Sequence, residues 1–279
     1  FTLAKAFINE GLSIAIQPKN RDLKTSSREH TSPYYGAFEQ TGWPMKEAYF
    51  PQVTDELSRQ YESLLPFPTL ELKNNEKLGL YPVVDSVVWI ERLVKIGVKV
   101  IQLRIKTSEN ASVQELNLVE EKISLAIELC NQYPGTRLFI NDHWQLAIKH
   151  GAYGVHIGQE DIKDADLVAI QKAGLRLGIS THGCYEFLLA QQVMPSYLAI
   201  GAIFPTKTKD MSGQIQGLNN LILTLNLAGE IPVVAIGGIS LARTPEVWNT
   251  GVSSIAVVTA ITEAKDPERV TKQFKELMQ

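Results

Sequence analysis

The sequence predicts an α/β protein: a closed (β/α)8 barrel preceded by an N-terminal extension that is mainly helical and irregular. Three observations lead there. From Gly79 onward, short β-branched runs alternate eight times with amphipathic helical stretches. The runs are near-continuously apolar, the mark of parallel strands buried on both faces. The competing architecture, a doubly wound open sheet, needs a glycine-rich first turn, and Gly79-Leu-Tyr-Pro is not one.

The expected strands, in order, are Leu80–Val84, Val98–Lys106, Arg137–Asp142, Tyr153–Gly158, Arg176–Thr181, Tyr197–Ile203, Pro232–Ile239 and Ser253–Ile261. The helices between them are Val87–Ile96, Val113–Asn131, Trp144–His150, Ala165–Ala173, Tyr185–Gln192, Leu218–Leu227, Pro245–Asn249 and Asp266–Leu277. The barrel domain is drawn as 77–279 and the extension as 1–76. In the extension, Leu3, Ala6, Phe7, Leu12 and Ile14 share one helical face, and a second helical run, Val53 to Leu64, stops at Leu65-Pro-Phe-Pro. The polar stretch Gln17 to Ser32, with Thr41-Gly-Trp-Pro after it, interrupts rather than propagates. One or two helices without strands cannot build an independent core, so this part is an appendage.

Composition narrows the function. The 27 basic and 30 acidic residues leave a formal charge of −3, so bulk electrostatics recruit neither nucleic acid nor an anionic membrane. Any bound anion must be held by local geometry. The 2 cysteines, Cys130 and Cys184, form no zinc set or disulfide framework. No apolar run reaches the roughly 18 residues of a membrane span. The first residues lack the order of a signal peptide, so a cytoplasmic location is expected.

In a (β/α)8 barrel, chemistry gathers at the carboxyl ends of the strands. The second strand ends Gln102-Leu103-Arg104-Ile105-Lys106, where Gln102, Arg104 and Lys106 alternate onto one side. Either they form a cationic, hydrogen-bonding wall inside the mouth, or they point outward into solvent. Asn141-Asp142 closes the third strand, and Asp161 follows the fourth. Each Asp alone could cap a helix; together, beside a cationic strand, they favour one hard cation such as Mg2+. Glu160 reads as a solvated neighbour and His156 as a satisfied histidine within its strand. Ser180 and Thr181 offer hydroxyls at the end of the fifth strand, with helix capping as the alternative. Thr206-Lys207-Thr208-Lys209 after the sixth suits phosphate or carboxylate contacts, with a solvated basic loop as the alternative. Gly237-Gly238 at the end of the seventh and Val258-Thr259 near the end of the eighth suit backbone N–H capture of a phosphate, with close helix–strand packing as the alternative for a single glycine. No Ser-His-Asp set, acid–base carboxylate pair or Schiff-base lysine stands out. The pattern suggests ionisation of a diphosphate leaving group.

These segments, together with Gly154-Val-His-Ile-Gly-Gln-Glu-Asp161, Gly178-Ile-Ser-Thr-His182 and Val234-Ala-Ile-Gly-Gly-Ile-Ser240, resemble the thiamine-phosphate synthase family of TIM barrels. The resemblance implies a transferase of thiamine biosynthesis. It would join hydroxymethylpyrimidine diphosphate to a thiazole phosphate carboxylate and release diphosphate and carbon dioxide. It further implies that Gln102, Leu103, Arg104, Ile105, Lys106, Asn141 and Ser180 hold the pyrimidine diphosphate, while Asp142 and Asp161 ligate Mg2+. Thr206, Thr208, Gly238, Val258 and Thr259 would hold the thiazole phosphate, with Lys209 reaching the diphosphate and Lys207 among the substrate-binding residues. Lys106, Arg104, Ser180 and Lys209 are the residues implied in catalysis. The family usually carries Ser where Thr259 stands, which keeps the hydroxyl. The first residues, Phe1-Thr-Leu-Ala-Lys-Ala-Phe-Ile-Asn-Glu-Gly-Leu, resemble the last helix of hydroxymethylpyrimidine-phosphate kinase, without that enzyme's nucleotide and catalytic motifs. A fused kinase and a second copy of the chain are the macromolecular partners left open. Two other readings compete: a thiazole tautomerase or phosphate-binding regulator on the same barrel, and an interaction module built on the extension.

Overall fold

The computed structural model describes residues 2–14, 49–50, 61, 64–72, 76–108, 110–206 and 215–279. The chain divides into two units, Phe1–Val53 and Thr54–Gln279. In the first, helix α1 (Thr2–Ile14) buries Ala6, and the Asn9 amide donates to the Tyr49 carbonyl at 2.8 Å. Gln17 to Ser32, Thr41-Gly-Trp-Pro and, except for Tyr61 and Leu64, the expected run Val53 to Leu64 lie outside the described residues.

The second unit is a closed parallel barrel whose eight strands pair in sequence order. They are β1 (Gly79–Val84), β2 (Val100–Leu103), β3 (Arg137–Asn141), β4 (Gly154–Gly158), β5 (Arg176–Thr181), β6 (Tyr197–Ile200), β7 (Val233–Ile236) and β8 (Ser254–Val257). The helices are α2 (Val87–Lys95), α3 (Val113–Asn131), α4 (Trp144–His150), α5 (Leu167–Lys172), α6 (Cys184–Gln191), α7 (Gly217–Leu227), α8 (Thr244–Trp248), α9 (Thr259–Thr262) and α10 (Pro267–Leu277). Among the described residues, no helix is long and apolar enough to cross a membrane.

Local chemistry sets several ends. Ser112 caps α3 by accepting from the Glu115 N–H at 3.2 Å, and Glu115 sits where a capping box places it. Gly151 ends α4 at φ +68°, in the left-handed region a C-terminal glycine supplies. Asp266 caps α10 by accepting from the Arg269 N–H, with Pro267 in the first turn, where a missing N–H costs nothing.

The barrel interior is filled by alternate strand residues: Tyr81, Val83, Val100, Phe139, Tyr197, Ala199, Val234 and Ala256. Two strand glycines make room for the rings. A Cβ on Gly154 would lie 2.5 Å from the Phe139 ring, and one on Gly178 would lie 2.1 Å from the Tyr197 ring.

Residues 64–72 form a strap across the amino ends of the strands. Leu70 enters the interior cluster, and Phe67 is also buried. The Tyr153 hydroxyl donates to the Leu70 carbonyl, the Ser196 hydroxyl to the Pro68 carbonyl, and the Phe67 N–H to the Met194 carbonyl. Arg176 pairs with Glu71, and Arg137 with Glu76. The strap thus closes the floor of the barrel, although its sequence carries no strand or helix period.

Candidate functional site

At the mouth, β2 is shorter than its sequence suggests. It ends at Leu103, and after the Arg104 N–H joins the Val84 carbonyl at 2.7 Å the chain leaves the sheet. Strand alternation therefore places Gln102 alone. Its side chain is buried in the interior and donates to the Tyr81 hydroxyl at 3.3 Å, so the face carrying Gln102 points inward. Leu103 is buried on the opposite side, Arg104 and Ile105 are half-buried, and Lys106 is exposed. The Ile105 carbonyl lies 3.2 Å from His143 Nε2, which ties this segment to the start of α4.

Asn141 ends β3 buried, and its amide donates to the Asp142 carboxylate. Asp142 stands at φ +62°, a left-handed conformation uncommon outside glycine and concentrated at functional sites. The residue preceding α4 is His143, and the one preceding the 3₁₀ turn Gln159–Asp164 is Gly158. Neither Asp142 nor Asp161 caps a helix. Asp161 folds back over the end of β4, where a Cβ on Gly158 would come within 2.7 Å of its carboxylate. Partial loss of hydration pushes the Asp142 carboxyl above its ordinary range. Repulsion from Asp161 adds to the rise, while Arg104, His143 and the Asn141 hydrogen bond oppose it. The mouth thus brings two mutually repelling carboxylates beside one guanidinium.

Behind them runs a buried polar chain. Tyr81 and Tyr197 hydroxyls meet at 2.8 Å, Tyr197 reaches His156 Nδ1 at 2.7 Å, and His156 Nε2 reaches the Ser180 hydroxyl at 2.6 Å. Burial holds the His156 pKa down at about 4, and Arg104 adds to the depression, so the ring is neutral at pH 7. Burial pushes both tyrosines above their ordinary range. The residue before α6 is Gly183, so Ser180 caps nothing, and the buried Thr181 hydroxyl donates to the Ala199 carbonyl.

The opposite side of the mouth is built from backbone. Gly237 and Gly238 both have positive φ, and a Cβ on Gly238 would lie 2.5 Å from the Pro205 carbonyl oxygen. Arg243 stacks over the Phe204 ring at 4.4 Å and donates to the Gly238 carbonyl at 2.7 Å, joining the loops after β6 and β7. The eighth strand stops at Val257, not Ile261; Val258 precedes α9 and Thr259 begins it. Thr206 is half-buried at the end of the described loop, and Lys207, Thr208 and Lys209 lie outside the described residues.

Sequence reasoning missed Tyr81, Tyr197 and Arg243. A tyrosine in an interior position of a barrel strand was the available signal for the first two, since its hydroxyl needs a buried partner.

The sequence profile of the family described as thiamine monophosphate synthase matches residues 80–261. The chain belongs to that family. A thiamine-phosphate synthase of Yersinia pseudotuberculosis is 54% identical over 213 residues, which cover 76% of this chain and 94% of the relative. One from Citrobacter koseri is 55% identical over 198 residues, 71% and 90% of the two chains. Among solved structures, thiamine phosphate pyrophosphorylase from Pyrococcus furiosus superposes with a TM-score of 0.63 at 30% identity, covering 73% of this chain and 96% of that one. The 3-hexulose-6-phosphate synthase of Salmonella typhimurium matches with a TM-score of 0.53 at 18% identity and shares the fold alone. Family membership favours the synthase over a tautomerase or regulatory relative.

Proposed function

We propose that this chain condenses hydroxymethylpyrimidine diphosphate with the thiazole phosphate carboxylate to give thiamine phosphate, diphosphate and carbon dioxide. One observation supports the reading above the others. In a chain 54% identical to a thiamine-phosphate synthase, Asp142, Asp161 and Arg104 crowd one edge of the barrel mouth opposite the Gly237-Gly238 turn.

The pyrimidine diphosphate lies against Gln102, Arg104, Ile105, Lys106, Asn141 and Ser180, whereas the Leu103 side chain, buried on the other side of its strand, does not reach it. The thiazole phosphate lies against Thr206, Lys207, Thr208, Gly238, Val258 and Thr259. The two carboxylates fit Mg2+: both are hard oxygen donors, and their repulsion is relieved by a divalent charge. Bound there with the diphosphate, Mg2+ supplies charge neutralisation for the leaving group. Arg104, Lys106 and Lys209 add positive charge on the departing oxygens. Gln102 and Ser180 fix the orientation of the pyrimidine partner, and the Gly238 and Thr259 backbone holds the thiazole so that its ring carbon faces the forming cation. Proximity of the two bound partners is what the protein contributes to bond formation.

The location is the cytoplasm. Helix α1 is the end of a kinase module, by its resemblance, and plays no part in the chemistry. Mixing both substrates with the purified chain and magnesium tests the reading: thiamine phosphate accumulates, and chelation stops it. No product from a folded, magnesium-replete chain would overturn it.

A further inference from the structure

The polar chain inside the barrel has a direction. Gln102 offers its amide N–H to Tyr81, so the Tyr81 oxygen accepts and its own proton is left for Tyr197, 2.8 Å away. The Tyr197 oxygen then accepts, and its proton has His156 Nδ1 as partner at 2.7 Å. A neutral imidazole that accepts at Nδ1 carries its hydrogen on Nε2. That hydrogen points at the Ser180 oxygen 2.6 Å away, which leaves the serine proton turned outward. The ligand chemistry requires the same direction independently. A diphosphate only accepts hydrogen bonds, so a serine that touches it must donate. Had the imidazole accepted from Ser180, the serine would present lone pairs to an anion.

We propose that Tyr81, Tyr197 and His156 form a buried donor relay that presets the Ser180 hydroxyl as a hydrogen-bond donor to the anionic pyrimidine substrate. His156 and Tyr197 are then positioning residues, acting through Ser180. The relay rests on the assignment of Ser180 to that substrate. The packing is made for it: Gly178, two residues before Ser180 on β5, leaves the space that the Tyr197 ring and hydroxyl occupy. Successive hydrogen bonds in one direction polarise each other in a low-dielectric interior, so the terminal serine is a stronger donor than an isolated one.

Two measurements test the proposal. In protein labelled with ¹⁵N-histidine, the 5 histidines give resolvable ring signals, and the one missing in His156→Gln is His156. The relay requires the Nε2–H tautomer at pH 7 in the wild type; an Nδ1–H tautomer overturns it. In kinetics, Tyr197→Phe keeps the ring and removes one link. It should raise the KM for the pyrimidine diphosphate about tenfold, the worth of one hydrogen bond to a charged group, and leave the thiazole KM unchanged. In a Ser180→Ala background the same change should cost less than about twofold, because its effect passes through the serine. Fully multiplicative losses overturn the positioning role. Should Tyr197→Phe fold poorly, Tyr81→Phe, one link further, gives the same readout. If Ser180→Ala itself leaves the pyrimidine KM unchanged, the assignment beneath the relay fails even when the tautomer is as required, which separates the two errors.

Discussion

At the floor of the barrel, Arg137 and Arg176 face Glu76 and Glu71, and the strap's carbonyls take up the Tyr153 and Ser196 hydroxyls. At the mouth, Asp142 and Asp161 face each other, and Asp142 holds a left-handed backbone. The amino end pairs its charges and fills its space, with Leu70 and Phe67 buried there. The carboxyl end gathers like charge. Such a division places stability and chemistry at opposite ends of one sheet, as barrels of this type permit.

Asp142→Asn should break the comparison most sharply. Asn tolerates the left-handed conformation, so the backbone is kept. Turnover should fall about 10²–10³-fold, since charge on the leaving diphosphate loses a stabiliser. The metal-free variant should nevertheless melt no lower than the wild type at pH 7. The folded Asp142 binds its proton more tightly than the unfolded one, so it contributes stability at acid pH that is lost as pH rises through its raised value. The variant's advantage should therefore grow with pH across the carboxylate range and vanish below it. Melting curves at several pH values check this.

Leu70→Ala is the converse. Removing a buried leucine from the floor should cost about 2–5 kcal/mol by denaturant unfolding. The KM values should stay put while the protein remains folded, because the strap lies at the far end from the mouth. Deleting residues 1–53, which contain none of the proposed site residues, should leave a folded, active barrel, whereas deletion through Leu72 removes Phe67 and Leu70 and should lower the melting temperature steeply.

Gly238→Val should raise the thiazole-phosphate KM about tenfold or more, against little change for the pyrimidine diphosphate. The cause is twofold: a positive φ that a branched residue resists, and a clash with the Phe204-Pro205 backbone. Equal loss for both substrates would place the turn elsewhere in the mechanism. The smallest effect belongs to Glu71→Gln, which removes a largely exposed partner of Arg176 and should cost less than about 1 kcal/mol.

The division between floor and mouth was only half legible in the sequence. The eight strands and most helix ranges follow from periodicity, and α3 and α4 fall at the expected residues because Ser112 and Gly151 announce their ends. The overextended second, sixth, seventh and eighth strands, which end at Leu103, Ile200, Ile236 and Val257, have a common cause. Past Leu103 the residues go on alternating, and past Ile200, Ile236 and Val257 they stay mostly small or apolar, but the chain leaves the sheet at each of these points to form the mouth, and neither pattern reports where hydrogen bonding stops. The strap escaped notice for the opposite reason. Its hydrogen bonds run from barrel side chains and backbone to its irregular main chain, which has no period to read. The boundary drawn at residue 77 follows the first strand, whereas the compact unit begins at Thr54. Asp142, Asp161 and Ser180 were singled out as chemistry-bearing types at strand ends. The tyrosines behind Ser180 were not, because a buried hydroxyl pair looks like ordinary aromatic packing until its partners are known.

The central claim is that chemistry and stability occupy opposite ends of this barrel. The most direct test measures thiamine phosphate formation and unfolding free energy on the same preparations of the wild type, Asp142→Asn and Leu70→Ala. The account predicts that Asp142→Asn loses turnover without losing stability, and that Leu70→Ala loses stability while its folded fraction turns over normally. An Asp142→Asn enzyme with near-wild-type turnover, or a Leu70→Ala enzyme as stable as its parent, would contradict it.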